Sequence, residues 1–177
     1  MPLFHIHGLS AVLASMAAGA SVVCTGPFAA RRFFEGMEAF QPTWFTAAPT
    51  IHREILDNVA QHSAVVARSS LRFIRSASAA MPPQLIADLE RAFHAPFIEA
   101  YGMTEAAPQI ASNRLSSGER KPGSVGRAAG PDVAIMDGEV VIRGTSVMSA
   151  YADDPEATHG AFVDGWFRTG DLGHLDA

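Results

Sequence analysis

The spacing of apolar positions alternates between two periods along the first two-thirds of the chain. Short runs of β-branched and aromatic residues are typical of strands, and they are separated by stretches with the three-to-four-residue apolar spacing of helices. The predicted strands are PLFHIHG, SVVCT, TWFTAAP, LRFIRSAS and APFIEAYG. This alternation predicts an α/β fold, with a parallel sheet, flanking helices and right-handed crossovers.

The helices between these runs are predicted from their apolar faces and their ends. GLSAVLASMAAGA is typical of a small-residue helix buried against its neighbours, and Gly19 marks its end. Thr50 is a plausible N-cap for a later helix, and the prolines of PPQLIADLERAF suit a first helical turn. The apolar positions of the three later helices are Phe33, Phe34, Met37 and Phe40, then Ile51, Ile55, Leu56 and Val59, then Leu85, Ile86, Leu89 and Phe93.

The pattern changes near Asn113. The stretch SNRLSSGERKPGSVGRAAGP is rich in Gly, Ser and Pro and predicts a loop, and DVAIM-DG-EVVIRG after it predicts a β-hairpin. We therefore predict an α/β subdomain over residues 1–112. Residues 113–177 are predicted to begin a mainly β subdomain that resembles a distorted barrel.

Composition excludes some classes of function. The chain has 177 residues and a formal net charge of −5, without a Lys/Arg-rich tract, which disfavours nucleic acid as a partner. The single cysteine, Cys24, rules out an intrachain disulfide and suits a reducing cytoplasm; its surroundings predict a buried structural thiol. No secretory leader is recognisable and no run of about 18 apolar residues occurs, so we expect a cytoplasmic protein that does not span a membrane.

Candidate chemistry lies where the predicted strands end, because ligands of open parallel sheets bind at the carboxyl ends of the strands. One strand runs into the small-residue loop SASAAM and another into YGMTE, which supplies an aromatic ring, a glycine, a hydroxyl and a carboxylate. Each has a plainer interpretation. SASAAM can be a tight strand-to-helix turn, and Thr104-Glu105 can be a helix start with an acid at its positive end.

Three further side chains are candidates. His5 and His7 would share one face of a strand, where they line a polar pocket more readily than they bind zinc, for which further ligands at a recognisable spacing are missing. Asp171, in a glycine-flanked turn, can accept hydrogen bonds from two vicinal hydroxyls, or it can simply form an Asx turn. G-x-S-x-G, G-x-G-x-x-G after a strand and the G-x-x-x-x-G-K-[ST] phosphate loop do not occur.

Taken in order, several segments resemble the adenylate-forming superfamily and, within it, the acyl-CoA synthetases. They are PLFHIHGL, AAPTIH, LRFIRSASAAMP, EAYGMTEAA, KPGSVGRAAGP, GEVVIRG and GWFRTGDLG, and the resemblance runs from Pro2 to Asp176. The resemblance implies an ATP-dependent acid–thiol ligase that uses Mg²⁺ and coenzyme A. The carboxylate attacks the α-phosphorus of ATP to give an acyl-adenylate and pyrophosphate, and a thiol then displaces AMP.

The resemblance also implies roles for individual residues in binding the nucleotide. Tyr101 would stack on the adenine, and this aromatic contact would contribute about 1 kcal/mol of binding free energy beyond that of burying apolar area. Asp171 would bind both ribose hydroxyls. Glu99 would lie near the adenine. The remaining nucleotide-binding residues, which form the opposite wall of the adenine slot or follow Tyr101, are Ser76, Ala77, Ser78, Ala79, Gly102 and Met103.

The reacting end of the site is implied in the same way. Thr104 would contact the α-phosphate, and Glu105 would hold the Mg²⁺ ion that bridges phosphate oxygens. His5 would help to place the substrate carboxylate, so that His5, Thr104 and Glu105 form the catalytic set. His7 and Gly126 would lie near the acyl pocket.

The superfamily's phosphate loop, hinge and lysine-bearing C-terminal lid domain have no counterpart in these residues. The resemblance therefore implies an internal part of the large N-terminal domain. We expect the isolated chain to be inactive, to bind adenylate weakly at best, and to self-associate through an uncovered sheet edge.

The acid and the thiol acceptor are less closely defined. The segments resemble the branch that activates small or dicarboxylic acids such as oxalate, although members assigned to oxalate tend to have histidine where this chain has Pro108. His5, His7 and Asn113 remain candidates for holding a second carboxylate. An adenylation domain that loads a carrier protein and a non-catalytic adenylate-binding remnant are the alternatives.

Overall fold

Two sheets organise the chain in a computed structural model that describes residues 1–115 and 120–176. The first sheet has the strand order β1-β2-β3-β4-β5 and the second has the order β6-β7-β9-β8. The strands are β1 Trp44–Ala47, β2 Phe73–Ser76, β3 Phe97–Gly102, β4 Gln109–Ser112, β5 Arg127–Ala128, β6 Asp132–Met136, β7 Glu139–Arg143, β8 Phe162–Val163 and β9 Trp166–Leu172.

The first sheet is parallel where helices connect its strands and antiparallel beyond them. Strand β2 pairs in parallel with β1 and β3, whereas β4 pairs antiparallel with β3 and β5. The predicted fold class, a parallel-sheet α/β unit with flanking helices followed by a β-rich unit, is confirmed. The short strands β4 and β5 were not predicted, because QIAS and RA contain no run of β-branched or aromatic residues.

Six α-helices lie in the described residues. They are α1 Ile6–Ala17, α2 Ala30–Phe40, α3 Pro49–Asn58, α4 Ser63–Ala67, α5 Pro83–Phe93 and α6 Pro155–Ala161, with single 3₁₀ turns at Ala60–His62 and Thr104–Ala106. None of these helices is both long and apolar enough to cross a membrane.

The main core lies between the helices and the first sheet. Helix α5 buries all four of its predicted apolar positions, because residues spaced three and four apart share one helical face. They pack with Phe34 and Met37 of α2, Ile55 of α3 and Ile74 of β2. A second cluster joins the two sheets through Ala106, Ile110, Ile142 and Phe167.

The predicted strands at the start of the chain are wrong. PLFHIHG leads into helix α1, whose N-cap His5 accepts a hydrogen bond at Nδ1 from the backbone N–H of His7, 3.2 Å away. A local cap satisfies a helix-end donor without any distant partner, whereas a strand needs a neighbour to pair with. SVVCT forms no strand either; β1 is the edge of the first sheet on that side, and residues 21–25 are exposed.

Three more predictions about this region and α3 are corrected. The small-residue helix α1 is not buried along its length, since Leu9, Leu13 and Met16 are 42–64% exposed. Cys24 is exposed rather than buried. Thr50 does not cap α3, which begins one residue earlier at Pro49; proline at the first helical position is already fixed near the helical φ and needs no donor.

The hairpin predicted from the DG dipeptide is confirmed. Strands β6 and β7 pair antiparallel from Asp132 opposite Arg143 to Met136 opposite Glu139. The turn residues Asp137 and Gly138 both have positive φ, 51° and 84°, as a type I′ turn requires.

The loop predicted between Asn113 and this hairpin falls partly on residues 116–119, outside the described ranges. The described part of it contains the short strand β5, which joins the first sheet. The division into units at residues 112 and 113 stays a prediction.

Candidate functional site

Polar side chains from separate parts of the chain surround an open cavity of about 260 Å³ beside the ends of β2 and β3. The start of α1, the end of β2, the turn after β3 and the start of β4 all contribute. The lining residues are His5, Ile6, His7, Ser10, Arg75, Ala77, Ser78, Tyr101, Gly102, Met103, Thr104, Glu105, Pro108 and Gln109.

The parallel strands explain why distant motifs meet here. Ala47, Ser76 and Glu99 are neighbours in register across β1, β2 and β3. The segments that follow these strands therefore emerge at one edge of the sheet. Nine of the residues predicted for the site line the cavity, namely His5, His7, Ala77, Ser78, Tyr101, Gly102, Met103, Thr104 and Glu105.

His7 ties α1 to the sheet through both ring nitrogens. Its Nε2 lies 2.6 Å from Oγ1 of Thr46 and 3.4 Å from Nη1 of Arg75, and its Nδ1 lies 3.0 Å from Oγ of Ser78. Because a guanidinium can only donate, Nε2 accepts and the ring proton sits on Nδ1, which donates to Ser78. The Ser78 hydroxyl then keeps its own hydrogen for another acceptor.

The charge state of His7 follows from its surroundings. Burial, followed by the positive charge of Arg75, lowers the pKa of His7 to about 4. The imidazole is therefore neutral near pH 7.

Arg75 is a polar residue of the site that the sequence reasoning missed. Its Nη2 donates to Oε1 of Gln109 at 3.1 Å, and Nε2 of Gln109 donates to the backbone oxygen of Ala129 at 3.3 Å. Burial lowers the pKa of Arg75, but a guanidinium remains charged at neutral pH. The available signal was a pair of charged residues, Arg72 and Arg75, in the strand run LRFIRS, which did not show which of them faces the cavity. Thr46 and Gln109 carried no comparable signal.

Tyr101 of β3 contacts Asp171 of β9, so the end of the first sheet meets the second sheet. The Tyr101 hydroxyl donates to Oδ2 of Asp171 at 2.5 Å. Burial, and then the bond to this carboxylate, raises the pKa of Tyr101, which keeps the phenol protonated. Asp171 itself is exposed on the second sheet.

Glu105 lies in the 3₁₀ turn that follows Tyr101. Its Oε1 accepts a hydrogen bond from the Tyr151 hydroxyl at 3.2 Å, and its backbone oxygen accepts from the N–H of Met148 at 2.8 Å. Thr104, its neighbour, is exposed. Tyr151 was missed in the sequence because it lies 46 residues away, in a stretch without regular pattern.

The carboxylate of Glu105 fits a metal that arrives with a ligand. No cluster of three or more His, Cys, Asp or Glu side chains suited to a metal ion is found in residues 1–115 and 120–176. Magnesium in nucleotide enzymes is commonly held by one or two carboxylates, waters and the substrate's own phosphates. A single cavity-lining carboxylate is compatible with that mode of binding.

Several predicted site residues lie elsewhere. Ser76 is buried and donates to the backbone oxygen of Ala47 at 3.2 Å, and Ala79 does not line the cavity. Glu99 accepts from the N–H of Gly123 at 3.0 Å and lines a separate cavity of about 80 Å³. It lies two residues, about 6.6 Å, further back along β3 than Tyr101.

Gly126 also lies away from the cavity and supports the first sheet. Its φ is +81°, and a Cβ there would lie 2.4 Å from the backbone oxygen of Ser112. Only glycine permits so close an approach of this segment to β4.

Comparison with known proteins shows similarity to AMP-binding enzymes and CoA ligases. Residues 1–152 match the model of a family described as AMP-binding enzyme. An oxalate–CoA ligase of Arabidopsis thaliana is 46% identical over 99% of this chain and 37% of its own length. A sulfoacetate–CoA ligase of Cupriavidus necator is 39% identical over 100% of this chain and 36% of its own length.

The fold of the chain is also similar to that of a CoA ligase of known structure. A malonyl-CoA ligase, in a ternary product complex with methylmalonyl-CoA and AMP, matches 97% of this chain and 40% of its own chain. The TM-score is 0.85 at 31% sequence identity. The chain thus spans little more than a third of the length of the curated relatives described above.

Proposed function

The chain belongs to the family of AMP-binding enzymes, and on that premise we propose that it forms the adenylate-binding part of an acyl-CoA synthetase. An oxygen of the acid attacks the α-phosphorus of ATP, the bond to the β-phosphate breaks, and pyrophosphate leaves. The sulfur of coenzyme A then bonds to the acyl carbon with loss of the thiol proton, and AMP leaves. The observation that carries this proposal is the cavity that holds SASAAM, YGMTE and the N-terminal histidines together.

The adenosine would lie between the two loops that follow β2 and β3. Ala77 and Ser78 offer a wall without bulk, so that a flat ring can lie against the backbone, and Tyr101 offers an aromatic face. Asp171, held by the Tyr101 hydroxyl, has a second oxygen with which to accept from the ribose hydroxyls.

Glu99, Ser76, Ala79 and Gly126 are left out of this proposed site. The first three are absent from the cavity lining, and Glu99 and Ser76 bond to Gly123 and Ala47 instead. Asp171 is also absent from the lining, but it is exposed and bonds to Tyr101, which lines the cavity. Gly126 allows its segment to approach the backbone of Ser112 closely, which is a structural role and not ligand binding.

The phosphates would lie at the turn after β3. Thr104 is exposed there and can donate its hydroxyl to an α-phosphate oxygen. Glu105 would hold Mg²⁺, which, when bound, offsets negative charge on the phosphate oxygens during the displacement. The Tyr151 hydroxyl donates to Oε1 of Glu105 and would orient the carboxylate for this role.

The acid would lie beside the start of α1. His5 is exposed at the N-cap, and the neutral imidazole of His7 is fixed by Thr46 and Ser78. The polar side chains that line the cavity beside the start of α1 suit a short acid better than a long alkyl chain. Relatives named for oxalate and sulfoacetate support a small acid as the substrate class.

The test uses the protein encoded by the complete reading frame that contains this chain. Carboxylate-dependent exchange of pyrophosphate into ATP is measured with oxalate, malonate, acetate and dodecanoate. We expect exchange with small acids, and AMP release that requires coenzyme A. A clear preference for acids of about twelve carbons or more would contradict the small-acid proposal, and no exchange with any acid would contradict the activity itself.

The same assay separates the acceptors. Replacing coenzyme A with a phosphopantetheinylated carrier protein would support AMP release only if the carrier-protein alternative holds. The names of the relatives favour coenzyme A. A protein that binds AMP but exchanges no pyrophosphate would fit the alternative of a non-catalytic remnant.

Three further properties are proposed for the 177-residue chain. It should show no exchange on its own, since it spans about a third of its relatives. It should also self-associate, and light scattering that shows only monomer would contradict this. A cytoplasmic location stays a prediction, which a fluorescent fusion in the source cell would test.

A further inference from the structure

Arg75 differs from the other arginines of the described chain in its surroundings. It lies inside β2, and its side chain lines the cavity. Of the remaining arginines in residues 1–115 and 120–176, all but Arg120 are exposed. Arg120 has an acidic neighbour, Glu90, at 3.9 Å.

The immediate partners of Arg75 are neutral. Gln109 accepts from its Nη2, and the imidazole of His7 accepts from its Nη1. Within the described ranges no carboxylate lies within 4.0 Å of its guanidinium. Withdrawing a cation from water is costly unless a negative charge compensates it. The described residues supply no such charge within this distance.

The guanidinium is also held in a fixed position. Gln109 is fixed in turn by the backbone oxygen of Ala129, and His7 by Thr46 and Ser78. A planar fork of five N–H donors suits the two oxygens of a carboxylate, and part of that fork remains for a ligand in the cavity. Because its partners are neutral and fix its orientation, the guanidinium of Arg75 can bind an anionic ligand.

We propose that Arg75 binds a second acidic group of the substrate, a carboxylate or a sulfonate, and so selects short acids with two acidic groups over monoacids. This inference rests on the proposed function, because it places the reacting carboxylate beside His5 and His7. Nη1 of Arg75 lies only 3.4 Å from Nε2 of His7, so the two acidic groups of one substrate would be close together, which suits diacids of two or three carbons.

A phosphate of the nucleotide is the other anion that could meet this arginine. The residues proposed for the phosphates are Thr104 and Glu105, in the turn after β3. Arg75 instead makes its side-chain contacts with His7 on the α1 side and with Gln109 of β4. The geometry therefore favours the acid, and the experiment separates the two sources.

The experiment compares Arg75→Gln, Arg75→Lys and the matched control Arg72→Gln in the protein of the complete reading frame. Arg72 is exposed, three residues earlier, and does not line the cavity. The kcat/KM for AMP formation is measured with malonate and with acetate, and the KM for ATP at a saturating acid concentration. The ratio of malonate to acetate activity reports selection between the acid classes.

We expect Arg75→Gln to lower the malonate-to-acetate ratio by about 30-fold or more, mainly through the KM for malonate, because a charge-assisted bond is lost. Arg75→Lys should recover part of the ratio, since it keeps the charge but not the fork. Arg72→Gln should leave the ratio unchanged. An equal loss for both acids, or a rise in the KM for ATP without a change in the ratio, would overturn the proposal, the latter by assigning Arg75 to a phosphate.

A binding measurement keeps this inference separate from the proposed activity. Titration calorimetry with malonate and with acetate, without nucleotide, is run on the wild type and the three variants after circular dichroism has confirmed their folding. If the wild type turns over no acid, the proposed function fails. Arginine-dependent malonate binding would then still support an acid-recognition site, and equal binding by wild type and Arg75→Lys and Arg75→Gln would overturn it.

Discussion

The hydroxyl of Tyr101 donates to a carboxylate oxygen of Asp171 at 2.5 Å, although 70 residues separate the two. The bond joins the end of β3 in the first sheet to β9 in the second. The aromatic ring and the carboxylate that we propose for the adenine and the ribose hydroxyls are thereby held side by side. Binding of a nucleotide there would cost less side-chain freedom.

Asp171→Ala should remove discrimination at the ribose. We expect the wild-type protein to bind ATP about 10-fold or more tightly than 2′-deoxy-ATP, because hydrogen bonds to a charged group contribute about 1.5–3 kcal/mol each. The variant should bind the two nucleotides with similar, weaker affinity. Equilibrium binding of both nucleotides checks this, with Asp132→Ala, an exposed residue of β6, as the control.

Tyr101→Phe should have a smaller effect of a different kind. Phenylalanine keeps the aromatic face but loses the bond that orients Asp171, so affinity for ATP should fall about 3–10-fold, in line with one hydrogen bond. Preference for ATP over 2′-deoxy-ATP should shrink but persist. Wild-type affinity in this variant would show that the bond does not serve the nucleotide.

Glu105→Gln should raise the Mg²⁺ concentration needed for half-maximal pyrophosphate exchange by about 10-fold or more, because an amide oxygen is a weaker ligand than a carboxylate for a hard cation. Tyr151→Phe removes only the hydroxyl that orients Glu105, so its Mg²⁺ requirement should rise less. Titration of Mg²⁺ at constant free ATP makes the measurement. An unchanged requirement in Glu105→Gln would exclude this carboxylate as the metal ligand.

Gly102→Ala should destabilise the protein by about 2–4 kcal/mol, since an overpacked site without room to relax forces the backbone apart. A Cβ at this position would lie 2.0 Å from the backbone oxygen of Pro108. Gly160→Ala in α6, where no atom beyond the adjacent residues and the helix's own backbone lies within 4 Å of the added Cβ, is the matched control and should be neutral or stabilising by up to about 1 kcal/mol. Urea unfolding of both variants compares them, and equal stability would contradict the close approach.

Acid should weaken the fold through buried histidines. Burial lowers the pKa of His52 from 6.5 to about 4. As pH falls from about 6.5 to 4, His52 is protonated in the unfolded chain but stays neutral in the folded chain. The stability that is present above pH 6.5 is therefore lost across this range. The loss for His52 is about 3 kcal/mol at most.

The measurement is the free energy of unfolding between pH 7.5 and 4 for the wild type, His52→Leu and His159→Gln. His159 is exposed on α6 and serves as the control. The His52→Leu protein should lose less stability over this range than the other two proteins. If the free energy of unfolding depends on pH in the same way in all three proteins, His52 does not carry the acid sensitivity. The pKa of His7 is also lowered to about 4, so His7 would contribute a similar pH dependence of stability in each protein.

The sequence by itself determined the elements whose signals are local. The apolar spacing of α5, the β-rich runs of β1, β2 and β3, and the DG turn between β6 and β7 each depend on neighbours within a few positions. The order of the motifs was also enough to indicate the family. Parallel strands then required that SASAAM and YGMTE emerge at one edge of the sheet.

Only the tertiary structure decided which side chains meet. The hydrogen bonds of Tyr101 to Asp171 and of Tyr151 to Glu105 span 70 and 46 residues. Arg75 is one of two arginines in the run LRFIRS, and only the tertiary structure shows that it contacts His7 and Gln109. Such contacts depend on how strands and loops pack across long separations, and a periodic pattern along the chain carries no information about a partner so far away.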